Sequence, residues 1–242
     1  MPAQRVIVSG GTSGIGAACA RRLISDGAAV WILGSRPETV EQALSSLGGA
    51  VGGSACDIAD AERVDELIAE AVAALGGLDG AFANAGIDGQ GVGVLELTAE
   101  SFRRVLDVNV VGTFSVARAA ARAMTDGGAI VLNASVNALR AERLFADYNA
   151  SKAAVVSLAQ TMAIELAPSG VVVTAICPGY VPTAMTKQYL EDPATAEKLL
   201  ADVPAGRFGE PEEVAELVSF LLSQRARYMA GAVVSIDGGR SV

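Results

Sequence analysis

Short apolar runs alternate with longer stretches in which apolar positions recur every three or four residues. The runs are RVIVS (5–9), AVWIL (29–33), VGGSA (51–55), GAFA (80–83), AIVLNA (129–134), VVVTAI (171–176) and AVVSI (232–236). Most are continuously apolar rather than alternating, the signature of strands buried on both faces of a parallel sheet. Helical periodicity lies between them, near 15–26, 38–47, 60–75, 99–124, 148–167 and 211–223. Strands joined by helical crossovers predict an α/β fold, a doubly wound seven-stranded parallel sheet with helices on both faces. In such a sheet ligands sit at the carboxyl ends of the strands, where the strand order reverses. No Pro/Ser-rich linker, repeat or low-complexity tract divides the chain, so residues 1–242 are expected to form one domain.

The first strand runs directly into glycines, in VIVSGGTSGIG (6–16). Gly10, Gly11, Gly14 and Gly16 leave the backbone bare and open to close approach by a ligand. The spacing is G-x-x-x-G-x-G, not the commoner G-x-G-x-x-G. The physics is shared: the start of helix 15–26 offers unpaired N–H groups to a pyrophosphate. A plain flexible turn is the alternative, and this stretch alone does not decide.

Composition narrows the chemistry. At 242 residues and 51% hydrophobic, the chain can bury a large core. A net charge of -9 argues against nucleic acid and anionic membranes as partners. No apolar run approaches the roughly 18 residues of a membrane span, and a soluble, cytoplasmic protein is expected. Cys19, Cys56 and Cys177 lack metal-ligand spacing and read as reduced thiols. The chain contains no histidine, which removes Ser-His-Asp catalysis and histidine metal sites together. No metal site is expected.

The stretch NASVNALRAERLFADYNASK (133–152) supplies candidate chemistry. Tyr148 and Lys152 are four apart on a helical run and share a face. Ser135 follows a strand, at the same sheet edge as the glycine loop. Alone, a Y-x-x-x-K pair is weak evidence. Here it accompanies Asn84 in FANAG, Asn109 in DVNVVG, and PGYVPT (178–183).

Together these motifs make the chain resemble the short-chain dehydrogenase/reductase family from Arg5 to about Gly239. SGGTSGIG stands for the family's TGxxxGIG, ANAG for NNAG, and Ser135 precedes the Tyr of YNASK by thirteen residues. CDIAD, DVN, PG with Thr183, and VSIDGG follow in family order. Ser9 replaces the usual Thr, and Ala83 replaces the first Asn of NNAG, losing an amide that helps tie neighbouring loops.

The resemblance implies a nicotinamide-dependent oxidoreductase interconverting a ketone and a secondary alcohol. Tyr148 would be the acid/base, its pKa of about 10 lowered by Lys152. Lys152 would also bond the nicotinamide ribose, Ser135 would polarise the carbonyl, and Asn109 would hold a water relaying protons from Lys152. Cofactor contacts implied are Gly10, Thr12, Ser13, Gly14, Ile15, Gly16, Ser35, Arg36, Asp57, Ile58, Asn84, Ala85, Gly86, Tyr148, Lys152, Pro178, Gly179, Val181 and Thr183. Asp57 would meet adenine and Ile58 pack on its ring; Asp60 is better placed than Asp57 to cap the helix beginning near 60. Asp79, Asp65, Glu66 and Glu70 read as ordinary solvated charges.

NADP is the expected preference, with NAD the second choice. In NAD-preferring relatives an Asp ends the second strand; the corresponding position here is Gly34, followed by Ser35 and Arg36, a hydroxyl and a guanidinium that suit a phosphate. Small residues on helices 99–124 and 148–167, including Ala117, Ala119, Ala120, Ala121, Ala153 and Ala154, point through the resemblance to a homotetramer; packing on the sheet is the alternative. Residues 184–206 are expected to form a substrate flap. The segment between Ser135 and Tyr148 should line a pocket for a small-molecule carbonyl or alcohol. Glu142 either pairs with Arg140 or Arg143 at the rim, or Asn137 and an acidic neighbour, Glu142 or Asp147, receive a polar or amine-bearing group while Tyr180, Met185 and Tyr189 cover the apolar part. Alternative functions are a ketoreductase of acyl-carrier-bound substrates, whose acidic carrier would meet an acidic enzyme, and a non-catalytic nucleotide sensor.

Overall fold

A computed structural model describes residues 3–242, leaving aside the side chain of Gln188. Seven parallel strands are ordered β3-β2-β1-β4-β5-β6-β7. They are β1 (Arg5–Ser9), β2 (Ala29–Gly34), β3 (Gly52–Ala55), β4 (Gly80–Ala83), β5 (Gly128–Asn133), β6 (Val171–Pro178) and β7 (Val233–Ile236). All seven fall on the expected runs to within two residues at each end, because an apolar run buried on both faces has little freedom of register. The order reverses between β1 and β4, which places a crevice at their carboxyl ends.

Helices α1 (Gly14–Ser25), α2 (Pro37–Leu47), α3 (Ala61–Leu75), α4 (Ala99–Leu106), α5 (Thr113–Ala123), α6 (Ala146–Leu166), α7 (Lys187–Leu190), α8 (Pro193–Ala201) and α9 (Pro211–Leu222) connect or cover the strands. One apolar core lies on each sheet face: Ile7, Leu67, Ile130 and Val155 belong to one, and Val6, Leu23, Phe82 and Leu222 to the other.

Two expectations are corrected. The single helix expected over 99–124 is interrupted by a π-helical segment, Asp107–Gly112, between α4 and α5. The wider turn carries Asn109, and such turns concentrate at functional sites. Asp79 and Asp65 are not merely solvated: Asp79 takes a two-pronged bond from Arg5 at 2.7 and 2.8 Å, and Asp65 takes one from Arg118 at 3.0 Å. Asp60 caps α3 through the Arg63 N–H, as expected. Of the alanines on α5 and α6, Ala117, Ala119 and Ala120 are buried within the chain, whereas Ala153 is exposed. Among the described residues no helix is long and apolar enough to cross a membrane.

Candidate active site

The glycine loop turns because two of its glycines adopt left-handed backbone, Gly10 at φ +65° and Gly14 at +51°. A Cβ on Gly10 would press on Ala85 and the Asn84 amide, and one on Gly16 would overlap the Gly10 carbonyl. Gly16 therefore allows α1 to pack on the loop. Its own atoms do not line the cleft. No side chain caps α1, although Asp60 caps α3 and Thr98 caps α4. The first-turn N–H groups of α1 thus have no side-chain acceptor and suit an anion.

Above them lies a cleft of about 450 Å³. Gly10, Thr12, Ser13, Gly14, Ile15 and Ser35 line it, with Asp57, Ile58, Asn84, Ala85, Gly86, Ser135, Tyr148, Lys152, Pro178, Gly179, Val181 and Thr183. The structure brings these expected residues together from the ends of six strands, β1 to β6. Arg36 is exposed beside Ser35 and does not line the cleft itself. A side chain at Gly34 would strike Thr12 at 2.5 Å, so an aspartate would not fit there without a shift. Arg104 lines the cleft too, and its guanidinium bonds the Asp57 carboxylate at 3.0 Å. Sequence reasoning missed it, since one arginine on a polar helix carries no signal.

Asn84 does more than face the cleft. Its Nδ2 donates to the Ser9 carbonyl at 3.0 Å, and its Oδ1 accepts from Asn133 at 2.9 Å. Ser9 Oγ accepts from the backbone N–H groups of Asn84 and Ala85 at 2.9 and 3.1 Å. Asn84 therefore fixes the glycine loop against β4 and β5 as well as lining the cleft. The amide absent at Ala83 has a counterpart in Asn133, which ties β5 to the same loop.

At the centre, α6 presents Tyr148 and buried Lys152. Lys152 Nζ donates to the Asn133 carbonyl at 2.8 Å and stands 5.5 Å from the Tyr148 ring centroid. Asn109 accepts from the Ile87 N–H at 2.8 Å and donates to the Ile87 carbonyl and Ser151 hydroxyl at 2.9 and 3.1 Å. Its side chain clamps the segment after β4 onto α6. Ser135 Oγ accepts from the Asn137 N–H at 3.1 Å, so it also caps the short turn that follows.

The electrostatics depart from expectation. Burial, rather than Lys152, dominates Tyr148 and lifts its pKa above the ordinary tyrosine value; a hydrogen bond with Ser135 opposes, while Asp88 and Glu142 add to the rise. Lys152 is itself pushed down to about 8 by burial, and Cys177 and Asp88 oppose that fall only weakly. The phenol is thus held protonated near neutrality.

A second cavity of about 320 Å³ shares Ser135, Tyr148 and Gly179 with the cleft. Asn137, Glu142 and Tyr180 line it, as expected, together with Met185 and Tyr189 of the 184–206 segment, where α7 and α8 lie. Neither expected pairing of Glu142 holds. Its partner is Arg240, 3% exposed, whose Nη2 lies 3.4 Å away. Tyr180 donates to Glu142 Oε1 at 3.0 Å and Asn137 to Oε2 at 3.3 Å; Arg240 also lies over the Tyr180 ring. Arg140 instead reaches the Arg240 carbonyl and Asp202. Asp147 is fully buried, accepting from the backbone of Tyr148 and Gln90, and offers nothing to the cavity. Leu144, on the cavity wall, holds φ +71°, an uncommon conformation for leucine. Arg240 was missed because 98 residues separate it from Glu142.

Residues 10–241 match a family model described as Enoyl-(Acyl carrier protein) reductase. The chain is 38% identical over 240 residues to a 2,5-dichloro-2,5-cyclohexadiene-1,4-diol dehydrogenase of Sphingobium indicum, covering 98% of this chain and 96% of that one. It is 35% identical over 238 residues to dehydrogenase/reductase SDR family member 4 of Homo sapiens, covering 96% and 86%. Its fold superposes on an NAD+-bound xylitol dehydrogenase with a TM-score of 0.91 at 32% identity, covering 98% of each chain. Matched along nearly its whole length by the family model and by relatives at 35–38% identity, the chain belongs to the short-chain dehydrogenase/reductase family of oxidoreductases.

Proposed function

We propose that the protein interconverts a small ketone and a secondary alcohol with a nicotinamide cofactor, NADP in preference to NAD. The observation that carries this reading is the placement of Tyr148, Lys152 and Ser135 where the glycine-loop cleft meets the second cavity. The relatives' names, a cyclic diol dehydrogenase and a xylitol dehydrogenase, support secondary alcohols as the substrate class.

The fit to a dinucleotide rests on the bare Gly10 and Gly14 backbone and the uncapped start of α1. Thr12, Ser13 and the α1 N–H groups would hold the pyrophosphate, Asp57 and Ile58 the adenine, and Lys152 the nicotinamide ribose. Ser35 and Arg36 would receive a 2′-phosphate; Arg36 makes no ion pair among the described residues. When bound, the cofactor supplies or accepts hydride. The chain handles the proton. Ser135 donates a hydrogen bond to the carbonyl oxygen, and Tyr148, held protonated by burial, delivers its proton to that oxygen during reduction. Lys152, near the midpoint of its titration at pH 8, recharges or balances the phenolate. The alcohol direction runs these steps in reverse.

A panel of small ketones and secondary alcohols with both cofactors, followed at the reduced-nicotinamide absorbance band, tests the reading. Turnover of no member, or turnover only of acyl thioesters, would refute it. The exposed apolar Val111, Phe114 and Ile164 along α5, its preceding π turn and α6 support assembly as a homotetramer. Light scattering should report about four chains per particle.

A further inference from the structure

Two carboxylates face the cavity beside Tyr148, in different surroundings. Glu142 is engaged by Arg240, Tyr180 and Asn137. Asp88 has no arginine or lysine within ion-pair distance among the described residues. Its Oδ1 accepts from the Gly89 N–H at 2.9 Å and its Oδ2 from the Tyr189 hydroxyl at 2.9 Å. Each oxygen keeps acceptor capacity beyond these bonds. Asn137 adds a further acceptor, its Oδ1, while its Nδ2 donates to Glu142. The remaining walls are largely apolar, from Val136, Leu144, Phe145, Met185 and Leu199.

An apolar chamber with acceptors on its wall favours a ligand that carries a donor away from its reacting carbon. Burial raises the Asp88 pKa, with Asp147 and Glu142 adding to the rise and Tyr189 and Gly89 opposing it. Arg143 lines the same cavity, and Lys152 lies within electrostatic reach of Asp88. A neutral hydroxyl enters such a place at lower desolvation cost than an ammonium group, which would also meet these two cations.

We propose that Asp88, with Asn137 Oδ1, receives a second hydroxyl of the substrate, so that the protein acts on small hydroxyketones and diols in preference to simple ketones and alcohols. The inference rests on the ketone–alcohol reading of Tyr148 and names the substrate class of that site. Tyr189 belongs to α7 of the 184–206 segment, so the carboxylate that recognises the hydroxyl also anchors the segment covering it.

The test compares 4-hydroxycyclohexanone, 4-methylcyclohexanone and 4-aminocyclohexanone as substrates of the full chain, in wild type, Asp88→Ala, Asp88→Asn and Tyr189→Phe. Wild type should prefer the hydroxyl over the methyl compound by about tenfold in kcat/KM, the worth of one charge-assisted hydrogen bond. Asp88→Ala should bring that ratio to about one through KM, with Asp88→Asn between. Tyr189→Phe, which removes the anchor but keeps the carboxylate, should retain the ratio. A ratio untouched in Asp88→Ala, an equal collapse in Tyr189→Phe, or the amine as best substrate would overturn the proposal. If wild type reduces none of the ketones, the reaction reading fails by itself. Ligand-observed NMR of 1,4-cyclohexanediol with cofactor present then judges Asp88 separately: binding about tenfold weaker in Asp88→Ala supports it, and unchanged binding refutes it.

Discussion

The cleft above the glycine loop and the cavity beside it share Ser135 and Tyr148 but are made of different material. The cleft is largely backbone: bare glycines, an uncapped helix start and the ends of neighbouring parallel strands. The cavity is side chains from stretches far apart in sequence, near 88–91, 135–148, 179–199 and, behind the wall, Arg240. Backbone sites tolerate little change, because an added atom collides with main chain that cannot move. Side-chain sites can be rewired pair by pair while the sheet stays intact, which lets one fold serve many substrates.

The sharpest way to break that contrast is Gly16→Ala. Its Cβ would overlap the Gly10 carbonyl, so α1 must shift away from the loop. A stability loss of about 3 kcal/mol is expected from overpacking against backbone, with loss of measurable cofactor binding, read by thermal unfolding and titration. Wild-type affinity would show that the loop adapts as freely as the cavity.

On the cavity side, Arg240→Met should cost about 2 kcal/mol, since it strands the Glu142 carboxylate in a partly buried wall. Adding Glu142→Gln should recover more than half of the loss, while cofactor affinity stays at the wild-type value. No recovery in the double variant would mean that the pair does not act as a unit.

Lys152 stands on the border. Its folded pKa, about 8, lies below its ordinary value, so between that pH and about 10.5 the unfolded chain binds more protons and stability rises with pH. The charged lysine is a cost to the fold at neutrality. Lys152→Met should therefore raise stability by about 1–2 kcal/mol at pH 7 in the cofactor-free protein, an advantage that shrinks as pH rises through 8, while turnover is lost. Denaturant titrations at pH 7 and 9.5 check the sign. The smallest effect is expected at Arg36→Ala, a several-fold loss of preference for NADP over NAD measured as a ratio of kcat/KM values, because its guanidinium is exposed to solvent.

This contrast also governs what could be read from sequence. Strand positions were legible because continuous apolar runs mark a sheet buried on both faces, and the glycine loop because its spacing is local. Tyr148 and Lys152 were legible as a four-residue helical pair. The break at Asp107–Gly112 was not, since a π turn keeps an apolar pattern close to that of an α-helix. Arg104, Arg240 and Asp88 were not, because each acquires meaning from a partner or cavity that only the folded chain brings near. The sign of the Tyr148 shift was missed for a similar reason: pairing with Lys152 shows in sequence, and burial does not.

On the proposed reading, Tyr148 moves the proton while the cleft binds the cofactor independently of it. Tyr148→Phe removes one hydroxyl and leaves the ring in place. Fluorescence titration of reduced cofactor alongside single-turnover reduction of a small ketone should give binding within about twofold of wild type and a hydride-transfer rate lower by about 10³. Transfer at the wild-type rate in that variant would contradict the account.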